Sequence, residues 1–392
     1  MKLRHLATFL AAGLATLLTA CGGGDGISGT GSSAGTLRVS LTDAPSCGYD
    51  AVNVTVQKVR VHQNIGAAET DPGWSEIVLP TAGPHRFDLL TLSNGVLAEL
   101  GETPLPAGHY TQLRLVLAEN SGTAPLANSV VPTGGTETPL DTPSAQQSGL
   151  KLNVDIDVPA DKVVDVVLDF DACKSVVKRG NSGRFNLKPV ITVIPRLADA
   201  GMRIVGYAVA ASGVEVSAQQ AGVPVKTTMA DADGKFVLYP VPAGSYELVV
   251  RAPGRATAVV TGVPVFATAW TTLNSALTPI APPPLSLPLR TVGGTVTPFT
   301  GEVRAVQHFA ASGPSFEVAW SAVDPVTGAY TLALPVDPPL RAAYVPNPLA
   351  LLFVPDLAAK GLYTLEASAN GALKTSDIDA NVVVPPIDFI FP

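Results

Sequence analysis

The chain has 392 residues and a formal net charge of −7, with 36 glycines, 35 prolines and only 15% charged residues. An acidic balance argues against nucleic acid as a partner and against electrostatic docking on anionic lipid, because both need clustered Lys and Arg. The proline and glycine load, with valine-rich stretches between, excludes a helical bundle and points to an all-β chain of short strands and turns.

Residues 1–20 read as a targeting segment. Lys2 and Arg4 precede an apolar run from Leu6 to Leu18, too short for a permanent bilayer span. Leu18-Thr19-Ala20-Cys21 follows and resembles the lipobox of bacterial lipoproteins. The resemblance implies cleavage before Cys21, with a diacylglycerol thioether and an N-acyl chain such as palmitate on that residue. Several chains make a lasting membrane anchor, since each buried methylene contributes about 0.8 kcal/mol. Gly22 stands where an inner-membrane retention signal would place Asp, so the implied address is the outer membrane, on its periplasmic or its surface face. Cleavage removes Lys2 and Arg4 and no acidic residue, which takes the charge from −7 to −9. Residues 21–36, the lipidated cysteine and a Gly/Ser-rich run, read as a flexible tether.

From residue 37 the pattern has period two. LRVSLTDA is followed by YDAVNVTVQKVRV, in which Val52, Val54 and Val56 share one face and Val59 and Val61 resume one residue out of phase, so a β-bulge is expected near Gln57 and Lys58. LSNGVLAELG at Leu92–Gly101 is expected to hold a short helix. Leu150 to Val158 alternates strictly, with one wet face and one dry one. Cys47 and Cys173, an even pair without metal-ligand spacing in an exported chain, read as a disulfide, with free buried thiols as the alternative. Such a bridge would stabilise the unit by about 5 kcal/mol on the chain-entropy model. SLTDAP, GWSEI, FDLLTL, LPAGHYTQLRLVL and LKPVITVIP follow one another through this β-sandwich, residues 37–196. Together they resemble a family of bacterial lipoprotein domains known as domain of unknown function four-three-eight-two, which implies export and no established reaction.

The pattern restarts at Gly201. Asp231-Ala232-Asp233-Gly234 makes a turn, Phe236 and Leu238 point one way, and the strand after Pro242-Ala243-Gly244 brings Tyr246, Leu248 and Val250 to the same core. These residues resemble the carboxypeptidase-regulatory-like or transthyretin-like β-sandwich, also grouped with carbohydrate-binding-like folds, over residues 201–279. Residues 280–289, with Pro282-Pro283-Pro284, read as a stiff linker. Residues 290–392 repeat the opening strand and the tyrosine strand more loosely, with Asp324-Pro325-Val326-Thr327-Gly328 as the turn, and read as a third β-sandwich. One segment thus recurs around Tyr110, Tyr246, Tyr330 and Tyr363. Its ring is expected to pack in a core while its hydroxyl reaches polar groups at the rim.

Catalytic patterns are missing. His62, His85, His109 and His308 show no metal-ligand spacing, and G-x-S-x-G and phosphate-loop motifs do not occur. Ser175-Val176-Val177-Lys178 spells S-x-x-K without its S-D-N and K-T-G partners. The chain is therefore expected to be a non-enzymatic scaffold or binding module, with a glycan or another envelope protein as partner. The alternatives are a carbohydrate- or calcium-binding surface lipoprotein and an enzyme whose catalytic groups are scattered through the sequence. Two binding sites are conceivable. Asp43, Asp155, Asp157, Asp165, Asp169 and Asp171 offer hard oxygen ligands to Ca²⁺ if their strands converge, or form a solvated face that discourages edge pairing. Tyr239 and Trp270 are the candidate platforms for carbohydrate.

Overall fold

The computed structural model describes residues 33–43, 48–81, 83–142, 149–196, 201–310, 313–346 and 350–392. The signal segment, Cys21, most of the tether and Cys47 lie outside them. The regular structure of the described residues is almost wholly strand, arranged as three sandwiches in tandem.

In the first sandwich, four strands in the order Ile191–Arg196, Val163–Phe170, Ala34–Asp43 and Ala98–Pro106 face a nine-stranded sheet centred on Tyr49–His62. The first strand begins at Ala34, inside the segment read as tether, because Gly35 lies against Pro159 and Val158 so closely that a Cβ would come 2.2 Å from the Pro159 carbonyl. The valine strand slips register between Val56 and Lys58, and Val52, Val54, Val56, Val59 and Val61 are all fully buried. The bulge keeps both halves of a fourteen-residue strand facing the same core. Leu92–Gly101 forms no helix. A single 3₁₀ turn, Leu89–Leu92, is capped by Asp88, and Asn94 and Gly95 then adopt left-handed backbone that ends any helical run. Ala98 already belongs to a strand.

The second sandwich sets Lys235–Leu238, Arg203–Tyr207 and Trp270–Thr272 against Val223–Met229, Glu215–Gln220, Gly244–Arg251 and Ala258–Val265. Asp231 builds the turn: its Oδ1 accepts from the Asp233 and Lys235 amides at 3.0 and 2.9 Å. Gly234 is required there, since its φ is +78° and a Cβ would lie 2.2 Å from the Ala208 carbonyl. This larger sheet does not stop at its own segment. Leu340–Ala343 pairs in parallel with Ala258–Val265, and Val354–Pro355 pairs with Leu340–Ala343, so the C-terminal part of the chain completes the second sandwich. The proline-rich stretch is no free-standing spacer either. The Pro283 carbonyl accepts from Ala256, Leu285 donates to Gly254, and Arg255 donates to the Pro282 carbonyl at 2.6 Å.

In the third sandwich, Ala329–Leu334, Arg290–Thr297 and Phe389–Ile390 face Ser315–Ala322, Glu302–His308, Leu362–Ala369 and Ala372–Asp379. Asp324 does here what Asp231 does earlier, accepting from the Val326 and Thr327 amides.

The four tyrosines are between 1% and 3% exposed. The Tyr110 hydroxyl donates to the Pro106 carbonyl and that of Tyr246 to Pro242, each closing its own corner four residues back. Tyr330 and Tyr363 donate instead to the distant carbonyls of Ile387 and Pro335.

Candidate functional site

The sandwiches meet along polar seams. Between the first and second, Asn94 donates its amide to the Thr228 hydroxyl at 2.8 Å and accepts the Val237 amide on Oδ1 at 2.6 Å. Beside them lie Ile194, Met202 and Tyr239, buried together. Between the second and third, Gln219 and Glu317 exchange hydrogen bonds across 2.7 and 3.1 Å, while Val249 and Val259 pack into the third core. Between the first and third, Gly180 donates to Asp324 at 2.7 Å and Lys174 pairs with Glu317 at 3.5 Å.

Where these seams converge, a cleft of about 540 Å³ opens among all three sandwiches. The first sandwich supplies Asp171, Lys174 and Lys178, the second Glu215 and Arg251, and the third Glu317, Trp320 and Asp324. Arg251 is held by Glu215 and by the Val318 carbonyl. The Trp320 indole donates to Glu302 at 2.6 Å, and the Lys174 ammonium stands 5.7 Å over its ring. Glu317 is 8% exposed; burial pushes its carboxyl up, against the pull of Lys174, Arg304 and Arg251. Its Oε2 makes an ion pair with Arg304 at 3.6 Å but accepts no hydrogen bond among the described residues. Asp171 caps the one-turn helix Ala172–Ser175, and burial pushes its carboxyl up to about 6. A pocket of this size, with both charge signs and one aromatic face, can hold a small polar ligand by several directed contacts.

The expected calcium site does not form: the described residues hold no group of acidic, His or Cys side chains arranged for a metal. The reason is topological. Asp155 and Asp157 sit on Leu150–Val158, in the nine-stranded sheet, whereas Asp165 and Asp169 sit on Val163–Phe170 in the facing one. Asp155 and Asp157 flank the exposed His109 at 3.4 and 2.8 Å. Asp165 bridges Arg38 and Arg196, Asp43 and Asp169 are buried at the seam with the second sandwich, and Asp171 alone lines the cleft.

Of the two candidate carbohydrate platforms, Tyr239 is closed off. It is 3% exposed, and the Arg203 guanidinium lies over its ring at 4.3 Å and over the Trp270 ring at 5.1 Å. Trp270 itself is 56% exposed. His62 packs at a tilt against Trp74, His85 bonds to Thr81, and none of the four histidines lines the cleft. Ser175 is buried and accepts the Val190 amide, a structural role. Cys173 lines the cleft.

Arg251, Glu317 and Trp320 carry no local signal of a site. Each lies on an ordinary alternating strand, and only the docking of sandwiches brings them together.

No curated protein matches the chain. Among solved structures, a leucine-rich repeat protein from Bacteroides thetaiotaomicron is similar over 64% of this chain at 12% identity and a TM-score of 0.14, and the chain spans 26% of that protein. The major pilin SpaA of Corynebacterium diphtheriae is similar at 10% identity and a TM-score of 0.15, over 91% of this chain and 99% of that one. Scores that low fix neither fold nor function. Two family models match distinct stretches: the domain of unknown function DUF4382 at residues 34–189, and the carboxypeptidase regulatory-like domain at residues 206–278. The chain thus carries, in order, a stretch that matches the DUF4382 model and a stretch that matches the carboxypeptidase regulatory-like model.

Proposed function

We propose that this chain is a non-enzymatic binding module of the bacterial cell envelope, anchored to the outer membrane through lipid on Cys21. Three sandwiches fixed side by side would present one cleft to a small polar ligand. The observation that carries this reading is the cleft itself, to which each sandwich contributes charged side chains and the third adds Trp320. A scaffold that only spaced its domains apart would have no use for charges converging on one space. The Cys47–Cys173 pairing belongs to the same proposal, since it would tie the wall of the cleft at Cys173 to the beginning of the first sandwich.

Thermal-shift screening of the full chain against glycan and short-peptide libraries tests the binding role, because a specific ligand raises stability by mass action. A hit is expected that is lost in Trp320→Ala. No hit in either library would leave a ligand-free scaffold as the reading. Labelled palmitate tests the anchor: incorporation is expected in the wild type and not in Cys21→Ala.

A further inference from the structure

The dry seam between the first and second sandwiches holds a set of groups that packing alone does not require. Lys226, on Val223–Met229, reaches out of its own sandwich to Asp169 with an Nζ–Oδ1 separation of 2.5 Å, and lies 3.4 Å from the backbone carbonyl of Asp43. The three residues are 3%, 8% and 0% exposed. Asp43 accepts the Ala172 amide on Oδ1, while its Oδ2 has no hydrogen-bond partner among the described residues. One ammonium therefore stands against the Asp169 carboxylate and the Asp43 backbone carbonyl, with the buried Asp43 carboxyl near enough to feel both charges. Burial pushes both carboxyls up, that of Asp43 well above the ordinary range, with Asp171, Asp169 and Lys226 also acting on it.

We propose that Lys226 and Asp169 condense into an amide that joins the second sandwich covalently to the first, with Asp43 as the carboxyl that carries protons for the step. The ammonium first gives a proton to a carboxylate. The Nζ lone pair then attacks Cγ of Asp169, a C–N bond forms, and a C–O bond breaks as the departing oxygen leaves as water with two protons, one delivered through Asp43. An ammonium and a carboxylate go in, an amide and one water come out, and no oxidant or co-reactant is needed. Three features favour the product. The Lys226 amine already touches the oxygen bonded to the carbon it would attack, which lowers the entropic cost of bringing the groups together. The ion pair is held out of water, a state that penalises both charges, whereas the amide is neutral. A carboxyl whose burial favours its protonated form is the kind of donor that the departing oxygen requires. The inference is independent of the cleft and of any ligand.

The test is a peptide map of the full chain after reduction and alkylation, read by mass spectrometry. The expected result is a branched peptide joining the Asp169 and Lys226 segments, lighter by one water than the two apart. It should be absent in Lys226→Arg and Asp169→Ala, and at least tenfold scarcer in Asp43→Asn. Wild-type protein that yields both segments unlinked and at full mass overturns the proposal without recourse to any variant. Undiminished linkage in Asp43→Asn overturns the part assigned to Asp43.

Discussion

At the seam between the first and second sandwiches, Lys226 and Asp169 meet 2.5 Å apart with their side chains 2% and 8% exposed. At the cleft, Arg251 faces Glu215 with 37% and 26% of their side chains in water. The residue types match, so the difference lies in desolvation. A buried charge that loses its partner has nothing to replace it, while water can take the partner's place at an open site. The seam is therefore where the domains are committed to one another. The cleft keeps charges in a state that can still be exchanged for contacts with a ligand.

Lys226→Ala should break this comparison most sharply. It strands Asp169 in the seam and is expected to cost about 3–5 kcal/mol by chemical denaturation. Titration of the cleft should have the next largest effect. Burial holds Asp171 at about 6, so the folded chain keeps a proton that the unfolded chain releases near pH 4. The contribution is complete below about pH 4 and lost as the pH rises through about 6, on the order of 2–3 kcal/mol. Asp171→Asn preserves the helix cap and should flatten that part of the pH–stability curve. Arg251→Ala, at the wet side of the contrast, should cost about 1 kcal/mol or less. The smallest effects concern the tyrosines. Tyr246→Phe and Tyr330→Phe each remove one buried hydroxyl and should cost about 1 kcal/mol, but hydrogen exchange should quicken at Phe389–Ile390 only in the second, because of the two tyrosines only Tyr330 bonds to that end, through the Ile387 carbonyl.

Much of this architecture can be read from alternation and turn chemistry. The one-residue slip at Gln57 marks a real bulge, the D-x-D-G turn forms as its residues suggest, and the recurring tyrosines are interior. What alternation cannot supply is the second face. In Val223–Met229 the valines look like core and Lys226 and Thr228 look wet, yet Lys226 and Thr228 are the buried pair, because the outer side of that sheet docks on the first sandwich. The acidic run misleads for the same reason: spacing along a strand fixes a side, but not which of two sheets the strand joins. Leu340–Ala343 and Val354–Pro355 are too short and too plain to announce a pairing with residues so distant in the chain.

Those two short strands also decide how the chain can be divided. Severing it at the prolines would strip Ala258–Val265 of its parallel neighbour and leave a row of bare amides and carbonyls along the rim of the second sandwich. Such a rim invites sticking between copies. The parts on either side of Pro282-Pro283-Pro284 therefore share one sheet, and a cut there divides it.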